Sequence, residues 1–217
     1  MQELSLIQKI IIWAVPVLFA ITVHEVAHGW VALRFGDSTA KMAGRLTLNP
    51  FKHIDPVGTV LVPGLLLMLG GFIFGWAKPV PVNFSGLNNP KRDMIFVALA
   101  GPGANLMMAF VWGGVGFIAQ SLPDYAAVPL IYMSIAGLQI NTILMLINLI
   151  PVPPLDGGRV AVGLLPISLA RSYSKLEPYG LFIMLGLLAT GLLGKILNFP
   201  YTAFLSFMAS LFFSQGI

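Results

Sequence analysis

The chain has 217 residues, of which 57% are hydrophobic and 9% charged, and its mean hydropathy is +0.88. Because ordinary globular domains carry about 25% charged residues, this composition excludes a soluble globular domain and predicts a protein that lies in the lipid bilayer. The net charge of +4 is typical of basic cytoplasmic loops, so nucleic acid is not an expected partner. Without cysteine, the chain forms no disulfide and offers no thiolate to a metal.

Apolar segments separated by turn-rich or charged stretches predict an all-α polytopic membrane protein with five to six transmembrane helices. The segments are 6–33, 57–76, 94–119, 129–150, 178–197 and 200–215. A spanning helix needs about 20 residues, which the third, fourth and fifth segments supply. The second contains several prolines and glycines, and we expect it to fold back rather than cross. The N-terminus lacks the basic stretch of a signal peptide, so we expect the first segment to be retained.

The first apolar segment contains the sequence H-E-V-A-H at residues 24–28. Each ionisable group in a membrane helix costs on the order of 3 kcal/mol, which argues for a function. His24 and His28 are four residues apart and lie on one face of a helix, close enough to bind one zinc ion. Glu25 would lie beside the metal, where it can take a proton from water that the metal activates. The motif predicts a zinc metalloprotease.

Two stretches between the apolar segments, 40–49 and 76–83, have patterns that suggest short membrane-associated β-strands near this motif. In the second stretch, Val80 and Val82 lie beside prolines, which would confine such a strand to the edge of a sheet. Irregular or extended backbone at membrane depth must pack on protein or line a watery cavity. The alternative is that both stretches are interfacial loops, and the pattern leaves the two readings open.

The distribution of basic residues predicts the orientation of the chain. Residues 34–93 carry seven lysines and arginines, residues 151–177 carry three, and residues 120–128 carry none. By the positive-inside rule, the first two regions are cytoplasmic and the third lies outside. This arrangement requires that the segment 57–76 does not cross the membrane.

Asp156 is the candidate for the third zinc ligand. A zinc ion held by two histidines needs one more protein ligand, which leaves the fourth position for water. Asp156 follows the apolar segment 129–150 within the sequence P-V-P-P-L-D-G-G. The prolines end the helix and the glycines free the backbone, so a loop can return the carboxylate to the metal. The alternative role is an N-cap of the helix that begins near Gly158.

These motifs together resemble the site-2 protease family of zinc-dependent intramembrane proteases, in its compact prokaryotic branch without PDZ or CBS domains. The matching sequences are H-E-x-x-H at 24–28, A-G-P-G-A-N at 100–105 and N-x-x-P-x-P-P-L-D-G-G at 148–158, within a region of about residues 10–165. The resemblance implies that His24, His28 and Asp156 bind one zinc ion per chain. It also implies that Glu25 is the general base and that Asn148 faces the substrate. The segment 57–76 departs from the three-helix core of this branch.

The resemblance further implies an endopeptidase of the cell membrane that cleaves membrane-protein substrates within a transmembrane helix. We expect one membrane-embedded domain over residues 1–217, with the catalytic core at about 6–165 and additional helices at 178–215. An edge strand near the site would pair with the unwound substrate. The competing function is a membrane metal-binding protein or cation transporter that uses the same His, Glu and Asp cluster.

Three asparagines lie within the apolar segments, where an amide can either contribute to the active site or form a structural contact between helices. The Asn148 amide can donate to a scissile carbonyl and accept from a substrate N–H, or it can simply join two helices. We expect Asn141 to form such a helix–helix hydrogen bond. Asn105 follows Gly101 and Gly103, and we expect it to serve close helix packing near the metal.

Overall fold

The computed structural model describes residues 5–61 and 78–213, and these ranges are helical without any β-strand. The helices are α1 (Leu6–Arg34), α2 (Thr39–Met42), α3 (Pro90–Ala119), α4 (Asp124–Asn148), α5 (Asp156–Leu164), α6 (Ile167–Ser174), α7 (Gly180–Ala189) and α8 (Leu192–Phe212). Short 3-10 turns lie at Pro50–Lys52, Phe84–Gly86 and Glu177–Tyr179, and a π-helical turn lies at Pro56–Leu61.

Helices α1, α3 and α4 pack against one another and form the centre of the fold. Helix α5 lies against α3, and α8 packs on α3 and α4. Around Ala109, in the C-terminal half of α3, hydrophobic side chains of α3, α4 and α8 pack around the fully buried Met208. The segment 82–87 packs on the opposite end of the bundle, around Val97 and Ala32. This second contact brings a loop against the part of α1 that carries the H-E-x-x-H motif.

The described residues contain three helices that are long and apolar enough to span a membrane: Ile7–Arg34, Pro90–Ala119 and Asp124–Asn148. A fourth span is possible if Ile167–Ala189 and Leu192–Phe212, which are bent by 79°, count as one. The prediction of five to six spans is therefore not confirmed. Apolar composition does not reveal where a helix breaks, and Gly191, with φ of 70°, separates α7 from α8. Most of the segment 57–76 lies outside the described residues.

The predicted β-strands are wrong for the residues that the structure describes, and the loop alternative holds there. Residues 40–42 belong to α2, residues 43–49 and 78–83 form no ladder, and residues 76 and 77 lie outside the described ranges. The N–H groups of the second stretch bind other partners: Lys78 donates to the His53 carbonyl, Val80 to Glu25, and Asn83 to Asp37. A proline follows both Lys78 and Val80, so the alternate positions have no N–H to offer a neighbouring strand.

Buried polar groups hold the loop 78–83 against the end of α1. Asp37 is 3% exposed and accepts hydrogen bonds from the Asn83 N–H at 2.7 Å and from the Thr39 N–H at 2.9 Å. Burial alone would raise the pKa of Asp37, but these bonds and one from the Thr39 hydroxyl outweigh it and lower the pKa below its ordinary value. The Arg45 guanidinium donates to the Lys78 carbonyl at 2.8 Å. The loop therefore has a defined position beside the motif.

The two ends of α3 provide a test of the orientation. Lys91 lies in the first turn of α3, and Asp124 begins the next helix, α4. The 30 residues of α3 correspond to about 45 Å of helix, more than the hydrocarbon core of a bilayer. In a chain without cysteine, the variants Lys91→Cys and Asp124→Cys are expected to react with an impermeant maleimide from opposite sides of the membrane, Lys91→Cys from the cytoplasm. Labelling of both variants from the same side would contradict the predicted topology.

Candidate metal centre

His24 and His28 lie in the C-terminal half of α1, one turn apart on the face that meets α3. Their Nε2 atoms are 3.0 Å apart, and their rings meet edge to face. Position 101 of α3 lies directly opposite: a Cβ built there would be 2.3 Å from His28 Nε2 and 2.6 Å from His24 Nε2. Only glycine leaves the space in front of both nitrogen atoms open.

Asp156 is the first residue of α5, and its carboxylate closes a triangle with the two histidines. Its Oδ2 atom is 3.3 Å from Nε2 of His24 and 3.3 Å from Nε2 of His28. No side-chain capping bond is made at the start of this helix, where Leu155 is the N-cap, so the alternative role of Asp156 as a cap is not observed.

The loop before α5 shows why two glycines follow Asp156. A Cβ at Gly157 would lie 2.3 Å from the Leu149 carbonyl oxygen, and one at Gly158 would lie 2.4 Å from Pro153 N. The loop that leaves α4 thus turns back tightly against the first turn of α5. Glycine is needed at both positions because a side chain would collide with the loop. Neither glycine has a positive φ, so the structure does not require the backbone freedom that the sequence suggested.

The partners of the histidine Nδ1 atoms determine what the Nε2 atoms can do. Nδ1 of His24 lies 2.6 Å from Oδ1 of Asn105, and Nδ1 of His28 lies 2.7 Å from the Val97 carbonyl. Because a carbonyl oxygen only accepts, each Nδ1 must carry the hydrogen and donate it. In the neutral imidazole, Nε2 then carries a lone pair and no hydrogen. Both lone pairs are free for a cation.

Three electron-pair donors therefore converge in a largely buried place. Oδ2 of Asp156 is buried without a hydrogen-bond donor among the described residues, and the two facing Nε2 atoms have no hydrogen to give it. Such an arrangement is costly unless a cation lies between the three atoms. Ligand atoms about 2.0–2.1 Å from a tetrahedral zinc ion are about 3.3 Å from one another, close to the observed separations of 3.0, 3.3 and 3.3 Å. The site fits zinc.

Glu25 lies beside this triangle in α1, and the docked loop holds its carboxylate. Its Oε2 atom accepts a hydrogen bond of 2.7 Å from the Val80 N–H. Val80 is buried and packs near Gly29, where a Cβ would be 2.8 Å from its side chain. The sequence suggests this loop as a substrate-binding edge. One of its two valine N–H groups thus binds the predicted general base and not a substrate.

Asn148 is the predicted site residue that the structure does not join to the others. It is the last residue of α4, and its Nδ2 donates 2.9 Å to the Leu144 carbonyl of its own helix. Among the described contacts, none connects it to His24, His28 or Asp156. Its Oδ1 atom makes no hydrogen bond in the described part of the chain and can serve as an acceptor. Its proposed contact with substrate stays a prediction.

Sequence reasoning missed two polar partners of the motif. Asn105, expected to serve packing, binds His24 directly, and the Val80 amide binds Glu25. The available signal for Asn105 was an amide within an apolar segment, four residues after Gly101. A backbone N–H has no sequence signature, so the Val80 contact could be found only in the fold.

Comparison with known proteins decides the family. The chain is 39% identical over 186 residues to a Bacillus subtilis protein named "Putative zinc metalloprotease YwhC", a match that covers 82% of this chain and 80% of that protein. The chain belongs to the site-2 protease family. A second relative in the family, "Putative zinc metalloprotease Rip2" of Mycolicibacterium smegmatis, is 31% identical over 82% of this chain and 66% of its own length. No protein-family model and no solved structure matches the chain.

Membership of the site-2 protease family agrees with the geometry. The protein is a membrane protein and a metalloprotease, and its cofactor is zinc. The group formed by His24, His28 and Asp156 is the cluster of potential metal ligands found in the described part of the chain. Both relatives carry the names of proteases, and neither name supports the competing prediction of a cation transporter.

Proposed function

We propose that this protein is an intramembrane endopeptidase of the cell membrane, which carries out regulated proteolysis by cleaving membrane-protein substrates within a transmembrane helix. The observation that carries the proposal is the depth of the site. His24 and His28 lie 10 and 6 residues before the end of α1 at Arg34, or about 15 and 9 Å along an apolar spanning helix. A metal centre at that depth is suited to a substrate in the bilayer.

We assign the zinc ligands to His24, His28 and Asp156 and the general base to Glu25. When bound, zinc would act as a Lewis acid, which makes water more acidic and polarises a substrate carbonyl. Glu25 accepts the proton of the attacking water and passes it to the leaving nitrogen as the peptide bond breaks. The Val80 N–H holds Oε2 of Glu25, while Oε1 makes no hydrogen bond among the described residues and remains available for the proton.

The substrate must lose helical structure before it can react. In a helix, the scissile carbonyl already accepts a hydrogen bond from the N–H four residues later, and bilayer lipid offers no substitute. We assign the binding of the unwound substrate to two groups. The Asn148 amide at the end of α4 can bind its backbone, and the loop 78–83 can pair with an extended segment. The loop binds Glu25 through the Val80 N–H, and Asn148 lies eight residues before Asp156 in the chain.

Cleavage by the purified protein in lipid vesicles tests this function. A co-reconstituted protein with a single transmembrane helix is expected to yield fragments whose ends, found by mass spectrometry, lie within that helix. Phenanthroline should abolish the cleavage by removing zinc, and added zinc should restore it. A serine-directed reagent should have no effect, because the proposed nucleophile is water. Cleavage only in the extramembrane parts of the substrate would contradict the proposal.

Val82 is the position at which the loop can still bind a substrate. Its N–H makes no hydrogen bond among the described residues, whereas that of Val80 is taken by Glu25. We expect Val82→Pro to reduce cleavage sharply, since it removes a substrate hydrogen bond worth about 1 kcal/mol and distorts the edge. Val82→Ala keeps the N–H and is the matched control. Zinc content should be equal in both variants, and unchanged turnover in Val82→Pro would exclude this edge.

A further inference from the structure

Asn105 and Asn141 form a chain of buried amides that ends at His24. Both side chains are 0% exposed and lie on facing helices, α3 and α4. Asn141 Nδ2 donates to the Gly137 carbonyl at 2.8 Å, and Asn141 Oδ1 accepts from Asn105 Nδ2 at 2.9 Å. Asn105 Nδ2 also lies 3.2 Å from the Ala20 carbonyl, and Asn105 Oδ1 lies 2.6 Å from Nδ1 of His24.

The direction of every bond in this chain follows from two backbone carbonyls, which can only accept. The Gly137 carbonyl requires the NH₂ group of Asn141, so the oxygen of Asn141 must face Asn105. That oxygen and the Ala20 carbonyl both require the NH₂ group of Asn105. The oxygen of Asn105 is then left for His24, whose Nδ1 must donate. Rotating either amide by half a turn would place like groups against each other.

We infer that Asn105 and Asn141 are positioning residues that hold His24 in the form with hydrogen on Nδ1 and its Nε2 lone pair toward the metal. The inference rests on the proposed metal site. Neither amide touches the metal position, and Asn141 acts only through Asn105. His28 is the internal contrast, because its Nδ1 donates directly to the Val97 carbonyl and needs no side chain to choose its tautomer.

The positioning role of Asn105 and Asn141 differs from helix packing in the property that it affects. A hydrogen bond between helices stabilises the bundle, while a directed chain of amides controls the orientation and tautomer of a single ligand. Loss of such outer partners of metal-binding histidines lowers metal affinity by about 10- to 100-fold. A replacement that fills the same space without an acceptor should therefore weaken zinc binding in a protein that is still folded.

Zinc affinity of the detergent-solubilised, full-length protein tests the inference. By competition with a chromophoric chelator, Asn105→Leu is expected to raise the zinc Kd by about 10- to 100-fold, and Asn141→Leu to raise it by a smaller factor. The d–d absorption bands of the Co²⁺-substituted protein should shift in the two leucine variants.

Thr142→Val is the matched control for packing. Thr142 is as buried as its neighbour Asn141, and its hydroxyl bonds within its own helix, to the Leu138 carbonyl. This variant should retain wild-type zinc affinity. Equal weakening by Thr142→Val and Asn141→Leu, or wild-type affinity in a folded Asn105→Leu, would overturn the inference.

Three further outcomes have defined consequences for this inference and for the proposed function. If Asn105→Leu does not fold, Asn141→Leu carries the test, since it leaves the contact between Asn105 and His24 in place. Wild-type protein that binds zinc but cleaves no transmembrane substrate would contradict the proposed function and leave the positioning role standing. Failure of wild-type protein to bind zinc would overturn both.

Discussion

Glu25→Gln is expected to lower the turnover of a transmembrane substrate by about 10²- to 10⁴-fold while zinc content stays at the wild-type value. Glutamine has nearly the shape of glutamate, and its side-chain oxygen can still accept the hydrogen bond that the Val80 N–H gives to Oε2 of Glu25. The loop 78–83 should therefore remain docked. What the variant loses is a carboxylate that can accept a proton. Turnover in reconstituted vesicles and zinc by atomic absorption measure the two quantities.

A matched control for this variant is Glu177→Gln. Glu177 is an exposed glutamate that pairs with Arg159 at 3.3 Å, far along the chain from the motif. Its replacement should leave turnover and zinc content unchanged. Glu25→Ala, by comparison, should lose turnover and also the hydrogen bond to Val80, so the loop should become more susceptible to proteolysis. Near wild-type turnover in Glu25→Gln would show that another group accepts the proton.

The second large effect is expected in the double variant His24→Ala, His28→Ala, whose zinc content should fall from about one equivalent per chain to near zero. Two of the three convergent donors are removed, and a single carboxylate in a largely buried site cannot retain the ion. Asp156→Asn should also weaken binding strongly, because the amide oxygen carries no charge. Zinc is measured after dialysis against a weak chelator.

His53→Gln serves as the control, since His53 is the third and last histidine of the chain. It is 2% exposed, and its Nε2 lies 2.9 Å from the Thr47 carbonyl, a bond that a glutamine amide can replace. Zinc content should not change in this variant. A double variant of His24 and His28 with one equivalent of zinc would exclude the assigned site, and loss of zinc from His53→Gln would place the metal elsewhere.

Part of the site follows from local rules that act within a few residues. Four residues in a helix bring His24 and His28 to the same face, and an apolar segment of nearly 30 residues indicates a membrane helix whatever it packs against. The third ligand is less local. Proline and glycine around Asp156 predict a turn, while its arrival at the histidines depends on α5 packing against α3.

Other predictions failed because they concern contacts between distant segments. The valine and proline pattern at 78–83 is equally compatible with an edge strand and with a docked loop, and partners far away in the chain decided for the loop. The number of spans could not be read from apolar length, since the bend between α7 and α8 depends on how the chain turns at Gly191.

The sequence by itself determined the membrane environment, the pair of histidines with Glu25 between them, and the chemistry of a zinc site. Only the tertiary structure decided which groups orient these residues. Asn105 is 81 residues from His24, Asn141 is 36 residues from Asn105, and Val80 is 55 residues from Glu25. Helical periodicity relates residues within a turn or two, whereas these hydrogen bonds exist because packing places separate helices and a loop at one point.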